Sequence, residues 1–169
     1  MVLAPQEPTS RSELIALCDE MLRDRRLILV SNRGPVEHRQ MRDGSLRARR
    51  GSGGVVTALS SLTRFLDFTW VASAMGEGDR AVAEAADGAG IPSPIRGHRL
   101  SLRYVVSPEA AYHKYYNVIC NPMLWFLQHY MWSSPDTPNI DDTIHDAWET
   151  GYVPVNRSFA DAVVAEAQG

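Results

Sequence analysis

Hydrophobic and polar positions divide the chain into alternating strands and helices. Leu27-Ile28-Leu29-Val30 is a continuous apolar run that stops at Ser31-Asn32-Arg33, the pattern of a strand buried on both faces of a parallel sheet. Phe68-Thr69-Trp70-Val71-Ala72-Ser73 predicts a second strand, and Leu102-Arg103-Tyr104-Val105-Val106, closed by Ser107-Pro108, a third. Ser10-Arg11-Ser12-Glu13 has the form of a capping box, after which Leu14, Leu17, Met21 and Leu22 share one helical face. Val55, Leu59, Leu62 and Leu66 predict a helix over 53–65, and the alanine-rich stretch 78–89 predicts another, ending at Gly88 and Gly90. Residues 109–132 and 143–167 read as helical, split by Ser133-Ser134-Pro135-Asp136-Thr137-Pro138, with Phe159, Val163 and Val164 on the apolar side of the last helix. Residues 34–50 have no apolar period and contain Pro35, Gly44 and five arginines, so they predict a loop with room for a small hairpin. Residues 1–9 read as a loose tail. The alternation predicts an α/β class with a mostly parallel sheet flanked by helices.

Composition changes this picture little. With 169 residues, 44% hydrophobic and 22% charged, the chain suits one globular domain with a real core. A formal charge of −3 argues against a general nucleic-acid binder, so any anion recognition must be local. Cys18 and Cys120 form neither a disulfide framework nor a CxxC pair. No stretch reaches the roughly twenty apolar residues of a membrane span, and Met1 to Ser10 carries no signal-peptide core. The expectation is a soluble protein of a reducing compartment.

Two clusters carry candidate chemistry. Arg33 stands at the carboxyl end of the first strand, where a guanidinium can grip a phosphate or carboxylate through paired donors. Gly51-Ser52-Gly53-Gly54 opens into Val55-Val56-Thr57-Ala58-Leu59, a loop that allows close backbone approach to an anion at a helix start. It fits neither the GxGxxG nor the GK[ST] pattern. The second cluster is Tyr115-Tyr116-Asn117 through Asn121, Trp125, His129-Tyr130 and Trp132. Such density suits a helix core, yet flat rings beside amide and phenol groups also suit a sugar site. The histidines at 38, 98, 113, 129 and 145 lack metal-ligand spacing, and the acidic residues near 136–149 suit helix ends and surface.

Taken in order, Ser31-Asn32-Arg33, Gly53-Gly54, Trp70, Tyr115-Tyr116-Asn117, Leu124-Trp125, His129-Tyr130 and Trp148…Gly151-Tyr152…Val155-Asn156…Phe159-Ala160-Asp161 resemble the trehalose-6-phosphate synthase family. The resemblance implies a retaining glycosyltransferase of two Rossmann-like domains, transferring glucose from a nucleotide-sugar to glucose 6-phosphate. Residues 1–25 are then a tail and helix, and 26–169 part of the N-terminal, acceptor-side domain. By residue match Arg33 holds the acceptor phosphate, Trp70, Tyr116 and Trp125 line the acceptor pocket, and Gly53 and Gly54 meet the donor phosphate. No catalytic residue and no metal ligand is expected in this chain. No cofactor is expected beyond a nucleotide-sugar co-substrate such as UDP-glucose. Expected partners are a sugar phosphate and a nucleotide-sugar, with no nucleic acid and no membrane, an oligomer being left open, and the expected location is cytoplasmic. Family members continue into a His-Asp-Tyr-His segment and a donor domain, so the chain is expected to be truncated and inactive alone. Three alternatives stand beside this: a non-catalytic sugar-phosphate-binding module, a pseudo-glycosyltransferase, and a glucosylglycerol-phosphate synthase relative.

Overall fold

The computed structural model describes residues 10–59, 61–133, 135 and 137–168; the tail assigned to residues 1–9 lies outside them. Contacts divide the chain into two compact units, Met1–Tyr104 and Val105–Gly169, where the sequence suggests one domain from 26 onward.

The first unit is built on a sheet in the order β1-β4-β6-β5, with β1 at Ile28–Ser31, β4 at Phe68–Ser73, β5 at Ile91–Pro92 and β6 at Leu100–Val105. β1 pairs with β4 in parallel, Ile28 opposite Thr69 and Ser31 opposite Ala72, whereas the short β5 runs antiparallel to β6. The result is α/β, a mostly parallel sheet flanked by helices. Phe68, Trp70 and Ala72 alternate along one face of β4 and pack with Leu100, Leu102, Val36, Val56 and Leu66. Val71, between them, is also fully buried, which is why this strand reads as an apolar run rather than an alternating one.

Helix α1, Arg11–Met21, begins with the predicted capping box: the Glu13 amide donates to Ser10 Oγ at 3.2 Å and the Ser10 amide to Glu13 Oε2 at 3.1 Å. Its packing face differs from the predicted one. Cys18 and Leu22 meet the sheet core, while Leu14, Leu17 and Met21 are exposed. The helix expected over 53–65 is shorter, α2 at Gly54–Leu59 followed by a 3-10 turn at Leu62–Arg64. Helix α3 covers Glu77–Ala85.

The stretch 34–50 is not an open loop. β2, Val36–Gln40, and β3, Leu46–Arg50, form an antiparallel hairpin with Val36 opposite Arg50 and His38 opposite Ala48. Gly44 at φ +80° closes its turn, a conformation glycine adopts without steric cost.

The second unit is helical. A continuous helical stretch runs through α4, Glu109–His113, a π-helical segment at Lys114–Leu124 and α5, Trp125–Gln128. Asp141 caps α6, Asp142–Ala147, by accepting from the Thr143 and Ile144 amides at 3.0 and 3.2 Å. A second π-helical turn, Trp148–Tyr152, leads into α7, Val153–Gln168. α7 buries Val155, Phe159 and Ala162, one stripe at helical spacing. A side chain on Gly151 would collide with Lys114 Cβ and the Tyr115 amide, so this glycine sets the close approach of the two π-helical segments.

Candidate anion site at the β1 exit

β1 ends by delivering Arg33 to the surface. Its guanidinium has no hydrogen-bond or ion-pair partner among the described residues, and its side chain is exposed. The chain then leaves through Gly34 and Pro35 into the hairpin and returns through Gly51. The Gly51 amide donates to the Pro35 carbonyl at 2.8 Å, and a side chain on Gly51 would overlap the Gly34 carbonyl. That pinch at the hairpin base brings together two positions twenty apart in sequence: a methyl group added at Gly53 would lie 3.8 Å from Arg33 Cδ. Gly53 has φ +127°, and its carbonyl accepts from the Thr57 amide at 2.9 Å to start α2. The Cβ direction of Gly54 points into open space. Arg33, Gly53 and Gly54 therefore form one local group with a free cation beside an uncrowded backbone, an arrangement that suits a phosphate oxyanion.

The hairpin is clasped from below by groups the sequence left unassigned. The His38 amide donates to Asp79 Oδ1 at 2.7 Å, and His38 Nδ1 lies 3.3 Å from the same oxygen and 3.1 Å from Tyr104 Oη. Tyr104 Oη donates to the Val36 carbonyl at 3.0 Å. With the phenol proton so committed and the carboxylate an acceptor only, Nδ1 must carry a proton. Asp79 Oδ2 also accepts from the Met75 amide at 3.2 Å. All three side chains are buried; burial first, then the Asp79 charge, pushes the Tyr104 phenol well above its ordinary range and keeps it a donor. Close packing helps, since a side chain on Gly78 would overlap the His38 carbonyl. Partners 41 and 66 positions apart leave no short motif.

Trp70 departs from its expected role. It is 0% exposed, packed 6.1 Å from Phe68 in the sheet core, so it has no face to offer a ligand. Its indole N–H instead donates to Ser31 Oγ at 2.8 Å. A continuous apolar strand does not reveal from sequence whether a tryptophan lines a pocket or fills a core.

Tyr116 and Trp125 belong to the second unit. Tyr116 is half-buried and stacks on Tyr112 with ring centroids 6.0 Å apart. Trp125 is 42% exposed, one face covered by His129 at 4.3 Å. The His129 Nδ1–H donates to the Trp125 carbonyl at 2.7 Å, locking that stack. Nine positions make two and a half turns of an α-helix, which would set the two rings on opposite sides. The wider i→i+5 turns over Lys114–Leu124 carry those positions through less rotation and move Trp125 back toward the Tyr116 side. Among the described residues no group of three His, Cys, Asp or Glu is arranged to hold a metal ion, and no helix is long and apolar enough to cross a membrane.

Comparison with known proteins decides the family. The model of glycosyltransferase family 20 matches residues 25–169. The chain belongs to this family. It is 34% identical over 141 residues to a trehalose-6-phosphate synthase of Mycolicibacterium gilvum, an alignment covering 83% of this chain and 25% of that protein. It is 31% identical over 161 residues to the Mycobacterium ulcerans trehalose-6-phosphate synthase, 95% of this chain and 29% of the relative. An Aspergillus fumigatus alpha,alpha-trehalose-phosphate synthase (UDP-forming) is 32% identical over 150 residues, 85% of this chain and 25% of its own length. The fold is like that of the alpha,alpha-trehalose 6-phosphate synthase of Burkholderia multivorans, with TM-score 0.50 at 20% identity over 83% of this chain and 26% of that one. This family-20 chain thus spans about a quarter of the length of the relatives it matches.

Proposed function

We propose that this chain carries the acceptor-binding part of a trehalose-6-phosphate synthase-like glucosyltransferase, which moves glucose from a nucleotide-sugar to glucose 6-phosphate. The observation that carries the reading is the Arg33 guanidinium, unpartnered among the described residues and beside Gly53 at the β1 exit, in a chain of glycosyltransferase family 20. Arg33 would grip the acceptor phosphate through two parallel N–H donors. Within the helical unit, taken by itself, the exposed side of Trp125 and the Tyr116 phenol offer a flat face and a hydroxyl of the kind that suits a sugar ring. Gly53 and Gly54, with no side chains to keep an anion away from their backbone, would receive the donor's phosphate. A UDP-sugar donor is supported by the Aspergillus fumigatus relative, whose name specifies a UDP-forming reaction. The substrates are water-soluble phosphate esters, which makes the cytoplasm the proposed location.

In this reading the chain binds and orients, and supplies no group to the bond-making step. Transfer requires stabilising the leaving diphosphate as negative charge builds on it, work this reading assigns to none of Arg33, Gly53, Gly54, Tyr116 and Trp125. Calorimetric titration with glucose 6-phosphate and with glucose tests the reading. Saturable binding of the phosphate ester, weakened at least tenfold in Arg33→Ala and absent for glucose, is the expected result. Equal binding of both sugars, or an Arg33→Ala variant that titrates like the parent, would overturn it.

A further inference from the structure

Arg33 projects from a backbone that is fixed before any ligand arrives. Trp70, fully buried on β4, has an indole N–H that can only donate, and it donates to Ser31 Oγ at 2.8 Å. Ser31 Oγ thereby accepts from the indole and keeps its own proton for the Arg33 carbonyl, 2.7 Å away. The neighbouring residue is held by a parallel pair of bonds. Ser73, also buried, donates through its amide to the Asn32 carbonyl at 3.1 Å and through Oγ to Asn32 Oδ1 at 3.0 Å. Every residue from Ser31 to Arg33 is thus tied to β4 or to its neighbour by a directed bond, while the Arg33 guanidinium stays free among the described residues.

A side-chain bond from residue i to the carbonyl of residue i+2 fixes the dihedrals between them. The Arg33 carbonyl immediately precedes Gly34, which has no side chain to restrict the backbone, and Gly34 itself packs with its Cβ direction 3.0 Å from Ala72 Cβ. Without the Ser31 bond, no side-chain bond would hold the Arg33 carbonyl itself among the described residues, and its orientation would follow from the Ser73 bonds to Asn32, that contact and the hairpin pinch. Binding energy lost to ordering a flexible arginine is saved when its backbone is set in advance.

We propose that Ser31 and Trp70 are positioning residues for Arg33: the relay from indole to hydroxyl to carbonyl aims the guanidinium at the anion, and Trp70 acts from the core without touching ligand. The proposal rests on the reading of Arg33 as the phosphate-binding group.

The test uses the full chain and glucose 6-phosphate as the probe, with calorimetry on the parent, Ser31→Ala, Ser31→Thr, Trp70→Phe, Arg33→Ala and the Ser31→Ala/Arg33→Ala pair. Backbone ¹⁵N order parameters of Arg33 and Gly34 are recorded without ligand. Ser31→Ala and Trp70→Phe are expected to weaken binding about fivefold, the scale of one neutral hydrogen bond, and to lower the order parameters at Arg33 and Gly34. Ser31→Thr, which keeps the hydroxyl, is expected to bind like the parent. The double variant is expected to bind no more weakly than Arg33→Ala alone, a non-additivity that general destabilisation would not produce. Parent-like affinity and order at Arg33 in Ser31→Ala, with binding weakened in Arg33→Ala, would overturn the positioning role and leave the phosphate reading standing. Arg33→Ala titrating like the parent, or no binding by any form, would overturn the phosphate reading and this proposal with it.

Discussion

At the scale of single residues, charge and freedom from partners decide what Arg33 can do. A charge-assisted phosphate contact contributes about 1.5–3 kcal/mol, so Arg33→Ala should weaken glucose 6-phosphate binding at least tenfold in calorimetry. Arg33→Lys should recover only part of that, because an ammonium cannot form the paired fork. Arg33 and the Gly53-Gly54 pair were legible in the sequence as a strand end followed by a glycine-rich turn, and the structure brings Gly53 beside Arg33; that they bind an anion is the proposal. Trp70 was not legible in the same way. Burial is a tertiary property, and nothing in Phe68-Thr69-Trp70-Val71 distinguishes a core indole from one that faces a cleft. Only the 2.8 Å bond to Ser31 reveals what its N–H does.

At the scale of elements, the hairpin β2–β3 is the part that makes the site local, and the His38, Asp79 and Tyr104 group is what holds it down. Removing one partner of a buried pair strands the other, so Asp79→Ala should cost about 3 kcal/mol in urea unfolding and raise amide exchange along Val36–Gln40 and Leu46–Arg50 first. Exchange rising uniformly over the sheet would show that Asp79 has no special hold on the hairpin. The hairpin was hard to read in the sequence because β3 is exposed at all but one position and so carries almost no buried apolar residues; Glu37 and Arg49 pair across the hairpin at 2.5 Å. In the helical unit, Gly151→Ala should destabilise by about 1–3 kcal/mol through overpacking against Lys114 and Tyr115, read as a lower melting temperature. Helix content there was legible from sequence. The π-helical register was not, since apolar residues at three- and four-residue spacing predict ordinary α-turns.

At the scale of the whole molecule, the sheet order β1-β4-β6-β5 and membership of glycosyltransferase family 20 set the frame of the account. Stability should depend on pH through His98, whose imidazole is held below its ordinary range by burial and then by the charges of Arg50 and Arg64. As pH falls through about 6.5 the unfolded chain takes up a proton that the folded chain resists. Stability should therefore decline below that pH, and His98→Gln should flatten the decline in urea midpoints between pH 7 and 5.5. The most direct measurement of the central claim is an NMR titration that follows the Arg33 Nε–Hε signal and the Gly53 and Gly54 amides as glucose 6-phosphate is added. The predicted result is a saturable shift of the Arg33 signal with glucose 6-phosphate and none with glucose. An Arg33 signal that stays fixed while the phosphate ester perturbs residues elsewhere would contradict it.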